Sequence, residues 1–412
     1  MAGSGGTPFA DLAHAFLPAD AGRRGVVVEA GADARVAVPA DADVVIWGRP
    51  AGAAGPALRQ AAARELGLRR LRAGLPPGMR VTAVHRLPAR AMSSGARGRA
   101  RAALRAGVLV EIASEDAGPR VLDAVARAAG AARLGAVRAG TGGTLLVRAR
   151  LSEGTAAMLR VGRAGGPGDP APGAETLERL AAAGVPAVPE PLGRGVVAGA
   201  SWTTERALPG RRPARATAAL VAEAAAVCAA LPAAAGPPTA AVEDLLAAAA
   251  LLPTRAGALR ALAERMEPAL AALPAVQRHG DLWTGNLLVH RGRLAGIVDW
   301  DAAHPAGVPG ADLVQLHGAD ARRRARLPLG AAVLERTWRS PAFASATTRY
   351  WRAVGLAPDP ATLDLAGVAW WATEVHHTLV RLPQRAADAA WIAANVDAVL
   401  AELSVPPAPP RA

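Results

Sequence analysis

Lysine is missing from this chain of 412 residues: all 47 of its basic side chains are arginines. Any step that ordinarily falls to a lysine amine must therefore be carried by a guanidinium, which is larger, planar and permanently charged. Asparagine occurs only as Asn286 and Asn395. A single cysteine, Cys228, rules out an internal disulfide and fits a reducing compartment. It sits in an alanine-rich apolar stretch, where inert packing is expected. Aromatic residues make up 3% of the chain, too few for a base-stacking surface. The apolar stretches near 218–231 and 245–252 are too short or too alanine-rich to span a bilayer, and Glu223 interrupts the first. The N-terminus lacks a basic segment followed by an apolar core, so no secretion signal is read there. A cytoplasmic location without membrane attachment is the expectation.

A formal charge of +13 would ordinarily point to nucleic acid or an anionic surface. The arginines, however, are scattered, with only short clusters such as Arg322–Arg326. The bias toward alanine, arginine, glycine and proline has the character of GC-rich coding drift. No nucleic-acid partner is expected.

Against this background, His279-Gly-Asp-Leu-Trp-Thr-Gly-Asn286 followed by Ile297-Val-Asp299-Trp-Asp301 stands out. One of only two asparagines lies five residues after Asp281. The spacing is similar to the catalytic loop and metal-binding aspartate of kinase-type phosphotransferases. Phosphoryl transfer asks a protein mainly for alignment and for cations over developing charge. In such a site Asp281 is the base that takes the acceptor hydroxyl's proton. Asn286 and Asp299 supply hard oxygen ligands to Mg²⁺. Leu287–His290 and Leu294–Val298 read as strands joined by a glycine turn, a hairpin that brings Asn286 and Asp299 to one end.

Together with Gly307-Val-Pro-Gly-Ala-Asp312-Leu, these segments resemble the aminoglycoside phosphotransferase and choline kinase superfamily, over roughly residues 118–403. The resemblance implies an α+β, protein-kinase-like bilobal fold, with a small β-rich lobe and a larger helical lobe. It makes His279 a structural loop residue and Asp312 a buried brace of the loop, with Asp301 a neighbour of the site. It also implies ATP and Mg²⁺ as cofactors and a small-molecule hydroxyl acceptor such as a sugar, an amino alcohol or an aminoglycoside-like compound. The rival reading is a catalytically silent kinase-like nucleotide-binding or scaffold protein.

The resemblance extends upstream. Leu134 to Arg150 reads as strand, glycine turn and strand, with Gly140, Gly142 and Gly143 placed to approach phosphate. Ala156–Val161 reads as a third strand, and Arg160 stands where the family usually carries its phosphate-gripping lysine. Its expected partner is Glu175, with Glu178 one turn further along as the competitor. Ser201 to Gly210 matches the family's hinge, whose backbone around Glu205 to Ala207 is expected to bond the purine edge.

Residues 1–115 alternate short apolar runs with helix-like stretches and read as a small α/β accessory domain. The strand-like runs begin at Gly25, Asp43, Met79 and Gly107, and the helix-like stretches are 56–73 and 97–106. The β-rich lobe and hinge are expected over 116–210, the helical lobe over 211–404 and a disordered tail over 405–412. Downstream of Asp312, tryptophans lie on predicted helices such as 364–380 and 386–403. There Trp371, Glu374 and His377 fall close to one face and are candidates for an acceptor pocket.

Overall fold

Four short runs rich in valine, isoleucine and leucine form strands, as β-branched and apolar residues in alternation should. They are β1 (Gly25–Glu29), β2 (Val44–Arg49), β3 (Met79–Leu87) and β4 (Gly107–Ser114). The computed structural model describes residues 13–20, 22–29, 42, 44–49, 69, 71–72, 75, 77–87, 107–114, 118–140, 143–166 and 168–404. Most of the helix-like stretches 56–73 and 97–106, and the tail 405–412, lie outside the described residues. The chain divides into two compact units, one made of residues 1–175 and 190–207, the other of 176–189 and 208–412.

In the first unit the sheet order is β1-β2-β4-β3, parallel between β1 and β2 and antiparallel elsewhere. A second, antiparallel sheet holds β5 (Ala131–Ala139), β6 (Leu145–Leu151), β7 (Ala156–Arg163), β8 (Pro191–Val197) and β9 (Ala200–Arg206). Its order is β5-β6-β7-β9-β8. Along β6 the burial alternates, with Leu145, Val147, Ala149 and Leu151 inward and Arg148 and Arg150 outward, the period of a strand with one face on a core. Helix α1 (Val121–Ala128) adds Val121, Leu122 and Val125 to the same cluster. Phe16, Val44 and Leu109 bury there as well, beside Leu145, Leu159 and Trp202. The core is therefore continuous across residue 115.

The second unit is helical. It comprises α2 (Ala171–Ala182), whose first turns belong to the other unit, α3 (Ala218–Cys228), α4 (Ala240–Leu251), α5 (Ala256–Ala271), α6 (Ala311–Ala325), α7 (Leu329–Leu334), α8 (Pro341–Val354), α9 (Pro360–Arg381) and a final run of short helical segments over 389–404. The start signals are local. Ser340 caps α8 by accepting the Phe343 N–H, and Asp359 caps α9 by accepting that of Thr362 at 2.7 Å, each with proline at the first helical position. Gly355, at φ 76°, ends α8 in the left-handed conformation. Trp300, Trp338, Trp351, Trp370 and Trp371 all lie in the main core. None of the described helices is long and apolar enough to cross a membrane.

Two small ladders interrupt the helices: β10 (Val276–Arg278) with β13 (His304–Gly307), and β11 (Leu287–His290) with β12 (Arg293–Ile297). The β11–β12 turn places Arg291 and Gly292 at φ 50° and 81°, as two-residue hairpins of right-handed twist demand. Leu287 pairs with Ile297, and the Val298 N–H donates to the Asn286 carbonyl at 2.9 Å. The residues after β12 therefore sit beside the start of β11.

Candidate active site

Strand β10 delivers the loop His279–Asn286. Gly280 turns it at φ 79°, and a Cβ there would lie 2.0 Å from the Ala302 oxygen, so only glycine fits. The loop's backbone donors then need partners, since a buried N–H left without one costs about 1–3 kcal/mol. Helix α6 supplies them. Asp312, in its first turn, accepts from the N–H of His279 at 2.6 Å and of Gly280 at 3.0 Å. Gln315, one turn along, accepts from Leu282 at 3.0 Å.

His279 ties the loop to the segment that carries Asp299. Its Nδ1 accepts the Asp281 N–H at 3.2 Å, which makes the ring the Nε2–H tautomer, and Nε2 donates to the Val298 carbonyl at 3.0 Å. The ring packs on Trp300 at a centroid distance of 4.6 Å, and Trp300 Nε1 donates to the Ile297 carbonyl at 2.9 Å. Asn286 is fully buried and donates Nδ2 to the Asp281 carbonyl at 2.8 Å and to its Oδ2 at 3.1 Å. Asp299 adopts the left-handed conformation, φ 73° and ψ 59°, which aspartate tolerates better than most residues. Asp301 is exposed on the following 3₁₀ turn. Because Nδ2 of Asn286 is engaged by Asp281, Oδ1 is the atom that would meet a cation. An amide oxygen and a carboxylate make a hard donor set, which fits Mg²⁺ and not a thiophilic metal.

In the other unit, the Gly140 N–H donates to the Thr144 carbonyl at 2.6 Å and Gly143 has φ 92°, closing the β5–β6 turn; Gly142 lies outside the described residues. Arg160 is buried in β7, paired in register with Leu146 of β6 and Thr203 of β9. Its expected ion pair with Glu175 is not formed. The Glu175 carboxylate is exposed and accepts from Arg194 Nη1 at 2.8 Å, because β8 passes within reach of the helix's first turns. Glu178 is exposed as well. Glu205 is buried at the end of β9. The hinge expectation needs correction at Ala207: its N–H is committed to the Ala156 carbonyl at 2.9 Å, and that of Arg206 to the Glu190 carbonyl at 2.8 Å. Neither N–H is left to bond a purine edge.

The acceptor-face expectation also changes. Trp371 is fully buried in the core, with Nε1 donating to the Asn395 carbonyl at 2.7 Å. Glu374 accepts from Gln315 Nε2 at 3.0 Å. His377 is partly buried, and its pKa falls to about 4 through burial and the neighbouring Arg381.

Sequence reading missed a buried polar node behind the loop. Arg278 Nη2 donates to Asp244 Oδ2 at 2.9 Å and Nη1 to Thr373 Oγ1 at 2.7 Å; Thr373 donates to the same Asp244 oxygen at 2.5 Å, and His376 Nδ1 meets Asp244 Oδ1 at 2.8 Å. Burial alone would raise the Asp244 pKa, but His376, Arg278 and Thr373 hold it well below the carboxylate range. Asp244, His376 and His377 bring possible ligand atoms within 4.8 Å of one another. The guanidinium against Asp244 already supplies the positive charge, so the group reads as an ion-pair node. Its one sequence signal is the acid pair Glu243 and Asp244 among the apolar residues of α4, of which Asp244 is the buried member.

The family model described as a phosphotransferase enzyme family matches residues 142–365. No curated protein matches the chain significantly. Similar solved structures include an aminoglycoside phosphotransferase from Streptomyces rimosus, 21% identical, covering 60% of this chain and 96% of that one at a TM-score of 0.39. Another is a thermostable mutant aminoglycoside phosphotransferase in ternary complex with ADP and hygromycin B, 17% identical, covering 68% and 98% at 0.45. A third is an aminoglycoside-3'-phosphotransferase of type VIII, 21% identical, covering 58% and 93% at 0.40. With the family match spanning more than half of its residues and the loop built as described, the chain belongs to the phosphotransferase enzyme family.

Proposed function

We propose that the protein transfers the γ-phosphoryl group of ATP to a hydroxyl of a small molecule, a sugar, an amino alcohol or an aminoglycoside-like acceptor, in a Mg²⁺-dependent reaction. The observation that carries this reading is the bond network of Asn286, which fixes the Asp281 carboxylate and aims a hard oxygen elsewhere. Asp281 orients the acceptor hydroxyl and takes its proton as the new O–P bond forms and the bond to the β-phosphate's bridging oxygen breaks, releasing ADP. Asn286 and Asp299 would hold Mg²⁺, which when bound would neutralise charge on the phosphates. His279 and Asp312 hold the loop and touch no reacting atom. Arg160 serves the nucleotide phosphates in place of a lysine; its fixed charge and two-pronged geometry suit that task.

The test is ADP release across a panel of hydroxyl-bearing acceptors, paired with thermal stabilisation by ATP with and without Mg²⁺. Acceptor-dependent ADP release supports the reading. Mg²⁺-dependent stabilisation without release from any acceptor marks a silent nucleotide-binding module, and neither signal removes the nucleotide altogether.

A further inference from the structure

Two adjacent residues of α9 bond to residues that flank or hold the loop, on opposite sides of Asp281. Thr373 accepts from Arg278, the residue before His279, and Glu374 accepts from Gln315, which in turn accepts from Leu282. We propose that Glu374 and Gln315 form a positioning relay that sets the loop's geometry at Asp281, a role that rests on Asp281 being the base.

The chemistry of the amide makes the relay directional. Gln315 is buried, so its amide is fixed by protein partners and not by bulk water. The Leu282 N–H can only donate, and the Glu374 carboxylate can only accept. One orientation satisfies both: Oε1 toward Leu282 and Nε2 toward Glu374. The flipped amide would set NH₂ against N–H and oxygen against carboxylate. Glu374 therefore selects the orientation in which Gln315 holds Leu282, and its charge strengthens the bond it accepts. Asp312 and Gln315, three residues apart on one face of α6, then bracket Asp281, with Asp312 on the two preceding amides and Gln315 on the one that follows. Helix α9 thereby gains a mechanical link to the base without touching the reacting atoms.

The experiment compares Gln315→Glu, Glu374→Ala and the exchanged pair Gln315→Glu/Glu374→Gln. Readouts are kcat and KM for MgATP hydrolysis, with water as the acceptor, and hydrogen exchange at the Leu282 amide. Gln315→Glu sets carboxylate against carboxylate. It should lower kcat about tenfold, short of the roughly 10²-fold that a 1 Å misplacement brings, leave the KM for MgATP unchanged and speed Leu282 exchange. Glu374→Ala, which adds no charge, should move kcat and exchange in the same direction by less. The exchanged pair restores one amide and one carboxylate and should recover both signals. A general packing role predicts no such recovery. An exchanged pair no better than Gln315→Glu, or wild-type Leu282 exchange in Glu374→Ala, overturns the relay. Failure of the base assignment shows separately, as wild-type hydrolysis in Asp281→Asn, while the exchange data still report on the relay.

Discussion

Asn286 is bonded twice to Asp281, through one amide nitrogen that reaches both the backbone carbonyl at 2.8 Å and the carboxylate at 3.1 Å. The proposed base and the proposed metal ligand are thus one rigid assembly. Asp281→Asn preserves shape and removes the proton acceptor. It should lower acceptor-dependent kcat by about 10²- to 10⁴-fold while the affinity for MgATP stays within a few-fold. Steady-state kinetics with nucleotide titration decide it; near wild-type turnover would strip Asp281 of its role.

The same assembly separates the two metal ligands. Asp299→Ala removes a full negative charge, so the Mg²⁺ concentration for half-maximal activity should rise, with kcat largely regained at saturating Mg²⁺. Asn286→Ala should raise the Mg²⁺ requirement less, yet leave kcat depressed even at saturation, because the Asp281 carbonyl and carboxylate both lose a donor. Identical Mg²⁺ titrations for both variants and the wild type would remove the pair from the site.

Much of this was legible because rare residues carry it. The hairpin of β11 and β12 followed from apolar runs around Arg291–Arg293, and its register places Asn286 beside Val298, one residue before Asp299. The loop's supports were legible only in part. Asp312 came from a motif, whereas Gln315 and Asp244 contact the loop region across 33 and 34 residues of chain, and no local pattern announces such contacts. Trp371 shows the limit of helical periodicity: spacing of three and four groups residues on a face but does not say whether that face meets core or solvent. Glu175 was misassigned for a related reason, since its partner Arg194 arrives on another strand.

The arginine in β7 gives a third prediction. Arg160→Ala should lower kcat strongly if this guanidinium serves the nucleotide phosphates, and Arg160→Lys should retain much of the activity. Glu175→Gln should now be nearly silent, because it breaks only an exposed pair with Arg194, of a kind that contributes about 0–1 kcal/mol. Kinetics on the three variants check the set. A large kcat defect in Glu175→Gln would restore the ion pair expected from sequence, and a silent Arg160→Ala would take β7 out of nucleotide binding.

Acid should weaken the helical unit before its carboxylates titrate. The His377 pKa is lowered from 6.5 to about 4, chiefly by burial and then by Arg381; Arg278 and His376 act in the same direction and Asp244 opposes them. Below pH 6.5 the unfolded chain takes up a proton that the folded chain resists. The stability His377 contributes is therefore fully present above 6.5 and lost progressively as pH falls toward 4. Asp244, held below the carboxylate range, adds its own loss only at still lower pH, under its ordinary value of 3.8. Urea midpoints measured from pH 7.5 down to 4 should thus decline for the wild type. In His377→Gln the decline should be shallower within the 6.5-to-4 window and unchanged above it. Parallel curves for the two proteins across that window would show that His377 is not the group that titrates.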